Sequence, residues 1–342
     1  MSEQAKDEAK TQSEEKASEQ ATSTSSSPPI LSLQELKISF LSRGKWVYAV
    51  DGVSMDIFPG QGTAIIGESG SGKTLSMMST LALISGTPGV FGGDIVYQEG
   101  DFSLSLLNGV EKAHRVEGKK AFPNLRTDRW KQAYRKRAKQ LAGNRIGIIF
   151  QNPIDSLDPF WSVGQTLKES IRLRDPKLPK NEVEKEAINW LERVHIKNPE
   201  GVMRSYPHQL SGGMCQRVMI AATLSMRPRI IIADEPTTGL DMTTKAQVLY
   251  LLQEAREEYG SSLIFVTHEI GLVTGLAEQV IVMRKGHVVD RFHSSKLADV
   301  SIKDGELISE HPFATHTKEL LYNSLILEQH HASQQEALAK TF

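Results

Sequence analysis

Eight residues, GESGSGKT from Gly67 to Thr74, constrain the fold of this chain more than any other stretch. They follow a short apolar run, GTAII (Gly62–Ile66), that reads as a buried strand, and they lead into KTLSMMSTLALI, whose apolar spacing predicts a helix. Glycines at Gly67, Gly70 and Gly72 let the backbone curl until successive N–H groups face one point, and the helix N-terminus adds partial positive charge. A turn of this kind cradles phosphate. Gly67, Ser69, Gly70, Ser71, Gly72, Lys73 and Thr74 are therefore the phosphate-contacting candidates, with Lys73 reaching the β- and γ-phosphates and the Thr74 hydroxyl available to Mg²⁺. The bland alternative, a glycine-rich turn with no ligand, is disfavoured because strand, loop and helix agree.

Three further apolar runs end in residues suited to phosphate chemistry. RIIIADEP (Arg229–Pro236) reads as a buried parallel strand closing on two adjacent acids, at the carboxyl edge where open α/β sheets bind ligands. Two carboxylates there call for a cation: Asp234 is the expected Mg²⁺ ligand, and Glu235 faces the position of an attacking water. SLIFVT (Ser262–Thr267) delivers His268 to the same edge, and RIGIIF (Arg145–Phe150) delivers Gln151, whose amide suits Mg²⁺ or the lytic water.

In this order the motifs resemble those of the ATP-binding cassette (ABC) ATPases, over about Leu31 to Ile326. The resemblance implies an α/β fold: a P-loop NTPase core of ABC type with a small antiparallel β subdomain and an α-helical subdomain. It also implies that LSGGMCQR (Leu210–Arg217) is the family's signature, with Ser211, Gly212 and Gly213 binding the γ-phosphate held on a neighbouring subunit's phosphate loop. TTGLD ends at Asp241, which maps onto a nucleotide-contacting position, and Phe40 is the aromatic matched to adenine stacking, with Tyr48 as its rival. ATP and Mg²⁺ are the implied ligands, and Glu235, His268, Gln151 and Lys73 the implied catalytic set.

Finer phrases are similar to the ATPases of oligopeptide and dipeptide importers: NPIDSLDP after Gln151, YPHQLSGGMCQRVMIAATL around the signature, and HPFATHTKELL (His311–Leu321). Met214, after Ser-Gly-Gly, resembles the first of the two different ATPase subunits that such importers use. The partners this implies are a second ABC ATPase subunit in a heterodimer, two transmembrane permease subunits and, indirectly, an extracytoplasmic solute-binding protein. The chain would then sit peripherally on the cytoplasmic face of the cell membrane. Nickel importers share these phrases, and a soluble ATP-driven clamp without a permease is the reading from a different class.

Composition narrows the rest. A net charge of −1 leaves no footprint of a nucleic-acid-binding protein, so no nucleic acid is expected, and one cysteine, Cys215, cannot build an intrachain disulfide framework. No apolar run approaches the ~20 residues that cross a bilayer. Residues 1–29 are polar and expected to be a disordered tail, residues 30–326 form the ATPase domain with a helical subdomain at about 152–226, and residues 327–342 read as a polar tail. An insertion at about 101–141 carries eleven lysines and arginines against four acids. It reads either as a solvated helix or as a contact for anionic lipid or an acidic partner.

Overall fold

The computed structural model describes residues 27–326 apart from 119, 125, 241, 273, 274 and 304. Residues 1–26 of the expected N-terminal tail, the 327–342 tail and Asp241 lie outside the described residues. The strands are β1 (Leu31–Ser42), β2 (Lys45–Ile57), β3 (Gly62–Ile66), β4 (Pro88–Glu99), β5 (Phe102–Ser105), β6 (His114–Glu117) and β7 (Lys120–Pro123). They continue with β8 (Ile146–Ile149), β9 (Ile230–Asp234), β10 (Ser262–Thr267), β11 (Gln279–Arg284), β12 (His287–His293), β13 (Ser301–Lys303) and β14 (Glu306–Ile308).

Two sheets carry the structure. One has the order β2-β1-β4-β5 and is antiparallel; the other has the order β12-β11-β3-β10-β9-β8 and is parallel except for the β12 edge. Continuous apolar runs build the second sheet because both of its faces are covered. Ile230, Ile232, Ile264 and Val266 point into a cluster shared with Leu31, Leu33, Ile38 and Val53 of the antiparallel sheet. Their alternates Ile231, Ala233, Leu263 and Phe265 enter a second cluster with Leu167, Trp190, Val218, Ile220 and Leu252. Each fully buried aliphatic side chain contributes roughly 1.5–3 kcal/mol by leaving water, so the middle of the sheet is its most stable part. That rigid floor holds the loops at the carboxyl ends of β3, β8, β9 and β10.

Between β8 and β9 the chain is helical. Val163–Arg174 opens on a capping box in which the Ser162 hydroxyl accepts from Gln165 N and the Gln165 side chain accepts from Ser162 N. Lys180–Arg193 and Gly212–Ser225 pack against it, bringing Leu167, Ile171, Trp190 and Val218 together. Arg174 and Glu186 form a two-pronged ion pair at 2.6 and 2.7 Å that ties two of these helices.

Two expectations differ in detail from the structure. The helix read across KTLSMMSTLALI is regular only from Lys73 to Ser79. Ser79 and Thr80 turn their hydroxyls onto Ser76 O and Met77 O, Tyr134 donates to Ser79 O, and Ala82 adopts a left-handed backbone at φ 55°. The carbonyls that would propagate the helix are thereby occupied. The insertion, in turn, is only partly a solvated helix: in Thr127–Ala138 the residues Trp130, Tyr134 and Ala138 form a buried stripe in the main core while Arg129, Arg135 and Lys136 stay outside.

Candidate functional site

The phosphate loop is shaped by what would collide with it. A Cβ on Gly67 would lie 2.2 Å from Met283 O of β11, and one on Gly72 would lie 2.5 Å from Ala49 O of β2, so side chains are excluded at both ends of the turn. Lys73 is 5% exposed, and its ammonium donates to Gly67 O at 2.6 Å and Glu68 O at 3.0 Å. Among the described residues no carboxylate pairs with it, and burial holds its pKa below the usual lysine range despite the opposing pull of Glu235, Asp234 and Glu68. A buried cation neutralised by nothing but loop carbonyls, ringed by backbone curled around it, fits a phosphate.

Thr74 donates its hydroxyl to Asp234 Oδ1 at 2.9 Å, joining the first turn after the loop to the end of β9. Asp234 is 3% exposed, and burial above all, with Glu235 adding to it, raises its pKa. A hydroxyl and a buried carboxylate are hard oxygen donors of the kind Mg²⁺ takes.

Glu235 is where the separate strands converge. Its Oε2 accepts from Gln151 Nε2 at 2.9 Å and from Thr238 Oγ1 at 3.1 Å, and its Oε1 lies 3.2 Å from His268 Nδ1. The Gln151 nitrogen being committed to Glu235, its Oε1 is the atom left for a cation. The Glu235 backbone has φ 45°, sparsely populated for a side-chain-bearing residue, and its N–H is pinned to Val266 O of β10 at 2.9 Å. Such a conformation costs about 1–3 kcal/mol and persists where surrounding structure imposes it. Here it aims the carboxylate between Gln151 and His268.

The signature turn stands apart from this cluster. Ser211 caps the helix Gly212–Ser225, its hydroxyl accepting from Met214 N at 3.3 Å, and a Cβ on Gly212 or Gly213 would meet nothing within 4 Å. Among the described residues no hydrogen bond links Ser211, Gly212 or Gly213 to Gly67–Thr74. Ser69 and Gly70 are exposed at the loop's crest and Ser71 is buried beneath it. Phe40 is half-buried, with its ring against Gly86, whereas Tyr48 adjoins the Ala49 backbone that touches the loop.

The ABC transporter family model matches residues 50–238. The chain belongs to that family. It is 36% identical over 262 residues to the oligopeptide transport ATP-binding protein OppD of Bacillus subtilis, covering 76% of this chain and 65% of the relative, so it spans somewhat less than two thirds of that protein. It is 34% identical to the oligopeptide transport ATP-binding protein AppD of the same organism, over 76% of this chain and 71% of the relative. Among solved structures, the dimeric structure of MJ0796, a bacterial ABC transporter cassette, has the same fold at a TM-score of 0.61, 23% identity, 77% of this chain and 98% of the other. CbiO1 from Clostridium perfringens, part of the ABC transporter complex cbiONQ, matches at 0.57 and 28% identity, over 80% of this chain and 91% of that one.

Two residues of this ABC cassette are missing from the sequence reading. Thr238 holds Glu235 from the turn that follows it. Gln216, 4% exposed, donates Nε2 to Pro236 O at 3.0 Å, tying the signature helix to the residue after Glu235. The polar Gln216 on an otherwise apolar helix face was the available signal; its partner, 20 residues away, was not legible.

Proposed function

We propose that this chain is the ATP-hydrolysing subunit of an importer, powering uptake of oligopeptides or dipeptides through a membrane permease. The observation that carries the hydrolytic part is the Glu235 carboxylate, collected by Gln151, Thr238 and His268 beside the Thr74–Asp234 pair. The names of OppD and AppD support the peptide part.

Loop amides from Gly67 to Thr74 and the Lys73 ammonium would hold the β- and γ-phosphates, and Phe40 would lie against adenine. Thr74, Asp234 and Gln151 would hold Mg²⁺, which when bound offsets phosphate charge. Glu235 takes a proton from water as the water oxygen attacks the γ-phosphorus; the bond to the β–γ bridging oxygen breaks, leaving ADP and phosphate. Gln151 orients that water, and His268 donates to the transferring phosphoryl group. Ser211, Gly212 and Gly213, open to solvent here, would close on the γ-phosphate held by a second ABC ATPase subunit, with Asp241 contacting nucleotide at the same interface.

No helix among the described residues is long and apolar enough to cross a membrane. Transport therefore requires two permease subunits, contacted through the segment Asn152–Trp161, with an extracytoplasmic solute-binding protein delivering the peptide. This arrangement sets the chain on the cytoplasmic face of the membrane, with residues 30–326 as its ATPase domain.

Glu235→Gln tests the core of the proposal. The variant should still bind ATP, while turnover falls roughly 10²–10⁴-fold, the usual contribution of a general base. Unchanged turnover removes Glu235 from that role. Failure of the chain to co-purify with permease subunits in detergent extracts removes the importer.

A further inference from the structure

The stretch 101–141 encloses a cavity that the nucleotide chemistry does not use. Gly109, Lys112, Ala113, Arg126, Arg129 and Trp130 line a pocket of about 460 Å³. Half of these residues are cationic and none is acidic, and Lys112, Arg126 and Arg129 form no ion pair among the described residues. Glu111 and Asp128 are the acids on the same two helical turns, and neither lines the pocket.

Trp130 is 8% exposed, and its Nε1 has no hydrogen-bond partner. The Cδ1 edge of the ring, next to that nitrogen, faces Gly109, where an added Cβ would lie 3.9 Å away. The orphan N–H thus belongs to the wall that closes the pocket. Native structures seldom leave a buried donor unpaired, and an acceptor held in the pocket would satisfy it.

The walls are braced. Thr127 Oγ1 donates to Ala113 O at 2.5 Å, Asn124 Nδ2 donates to Lys112 O at 2.8 Å, and Asn124 Oδ1 accepts from Arg126 N at 2.8 Å. Arg126 caps the 12-residue helix Thr127–Ala138, whose N-terminal partial charge has the same sign as the three side chains. Two guanidinium forks and an ammonium around an indole N–H match a tetrahedral dianion better than a single carboxylate, and the volume leaves room for an organic group beside it.

We propose that this pocket binds a phosphate-bearing small molecule, with Lys112, Arg126 and Arg129 on the phosphate oxygens and Trp130 Nε1 donating to one of them. The same chemistry is carried by a free phosphomonoester and by a phospholipid headgroup, and two arms of one experiment separate them.

The full chain labelled with ¹⁵N-tryptophan has four indoles, and Trp130→Phe identifies the relevant cross-peak. Glycerol 3-phosphate should shift the Trp130 peak saturably and leave the other three in place. Arg126→Glu combined with Arg129→Glu should abolish the shift, the unmoved peaks reporting an intact fold; Lys112→Ala, a milder change, should weaken it. In the second arm, flotation with phosphatidylglycerol vesicles, against phosphatidylcholine, that depends on both arginines without a glycerol 3-phosphate shift assigns the phosphate to lipid. The proposal is overturned by absence of both effects, by a shift that sodium acetate at equal ionic strength reproduces, or by a shift that survives the double substitution.

Discussion

Gln151 Nε2 donates to Glu235 Oε2 at 2.9 Å, bridging 84 residues of sequence and the ends of two neighbouring strands. The same glutamine opens a segment that leaves Ile154 and Phe160 exposed, at 55% and 85%. Anything that moves this segment therefore moves the hydrogen-bond partner of the proposed base. Gln151→Ala should lower kcat by about tenfold or more while the KM for ATP stays within a factor of a few, the pattern of an interaction made chiefly in the transition state. Steady-state ATPase kinetics decide it; an effect confined to KM rules the positioning role out.

Gly67 lies in the most crowded turn of the chain, with Met283 O 2.2 Å from where a Cβ would be. Gly67→Ala should displace β11 or the loop, destabilise the fold by more than about 1 kcal/mol, and weaken nucleotide binding along with it. Thermal unfolding with and without ATP measures both. A variant that unfolds and binds like the parent would mean that the loop opens freely at this end.

Asp234 gives a pH-dependent test. Burial first, and Glu235 second, raise its pKa. A carboxyl raised in the folded state favours folding fully below its unfolded pKa, and that advantage is lost as pH rises through the folded value; at neutral pH the ionised group opposes folding. Without nucleotide, Asp234→Asn should consequently raise Tm near neutral pH. The gain should shrink as pH falls through the carboxylate range, because both side chains are then uncharged. Calorimetry across that range checks the sign: a lower Tm for the variant at neutral pH contradicts it.

How much of this was legible beforehand depends on how local the cause is. The phosphate loop, the acids after IIIA and the residues ending β8 and β10 could be read because spacing along the chain fixes what a buried parallel strand delivers to its carboxyl edge. The early end of the helix at Ser79 could not, since it depends on Tyr134, 55 residues on, reaching Ser79 O. The insertion lies between these cases: Trp130, Tyr134 and Ala138 recur every fourth residue and mark a buried stripe, a pattern masked by the charges interleaved with it. Thr238 and Gln216 escaped for the same reason as Tyr134, their partners being set by the packed fold.

Gln216 supplies the sharpest consequence of that packing. Its amide is buried, and its single recorded bond to Pro236 O at 3.0 Å joins the helix that begins at the Ser211 cap to the residue beside Glu235. Movement of the signature turn on engaging a partner's nucleotide would reach the catalytic carboxylate through this contact. Gln216→Met keeps the volume and removes the donor, leaving Pro236 O unpaired in the core at a cost of about 1–3 kcal/mol. A purely structural role predicts a lowered Tm with kcat intact once the variant is folded. Coupling predicts in addition a fall in kcat with little change in KM for ATP, measured well below the variant's Tm, and an undiminished kcat there would leave Gln216 as a core hydrogen bond alone.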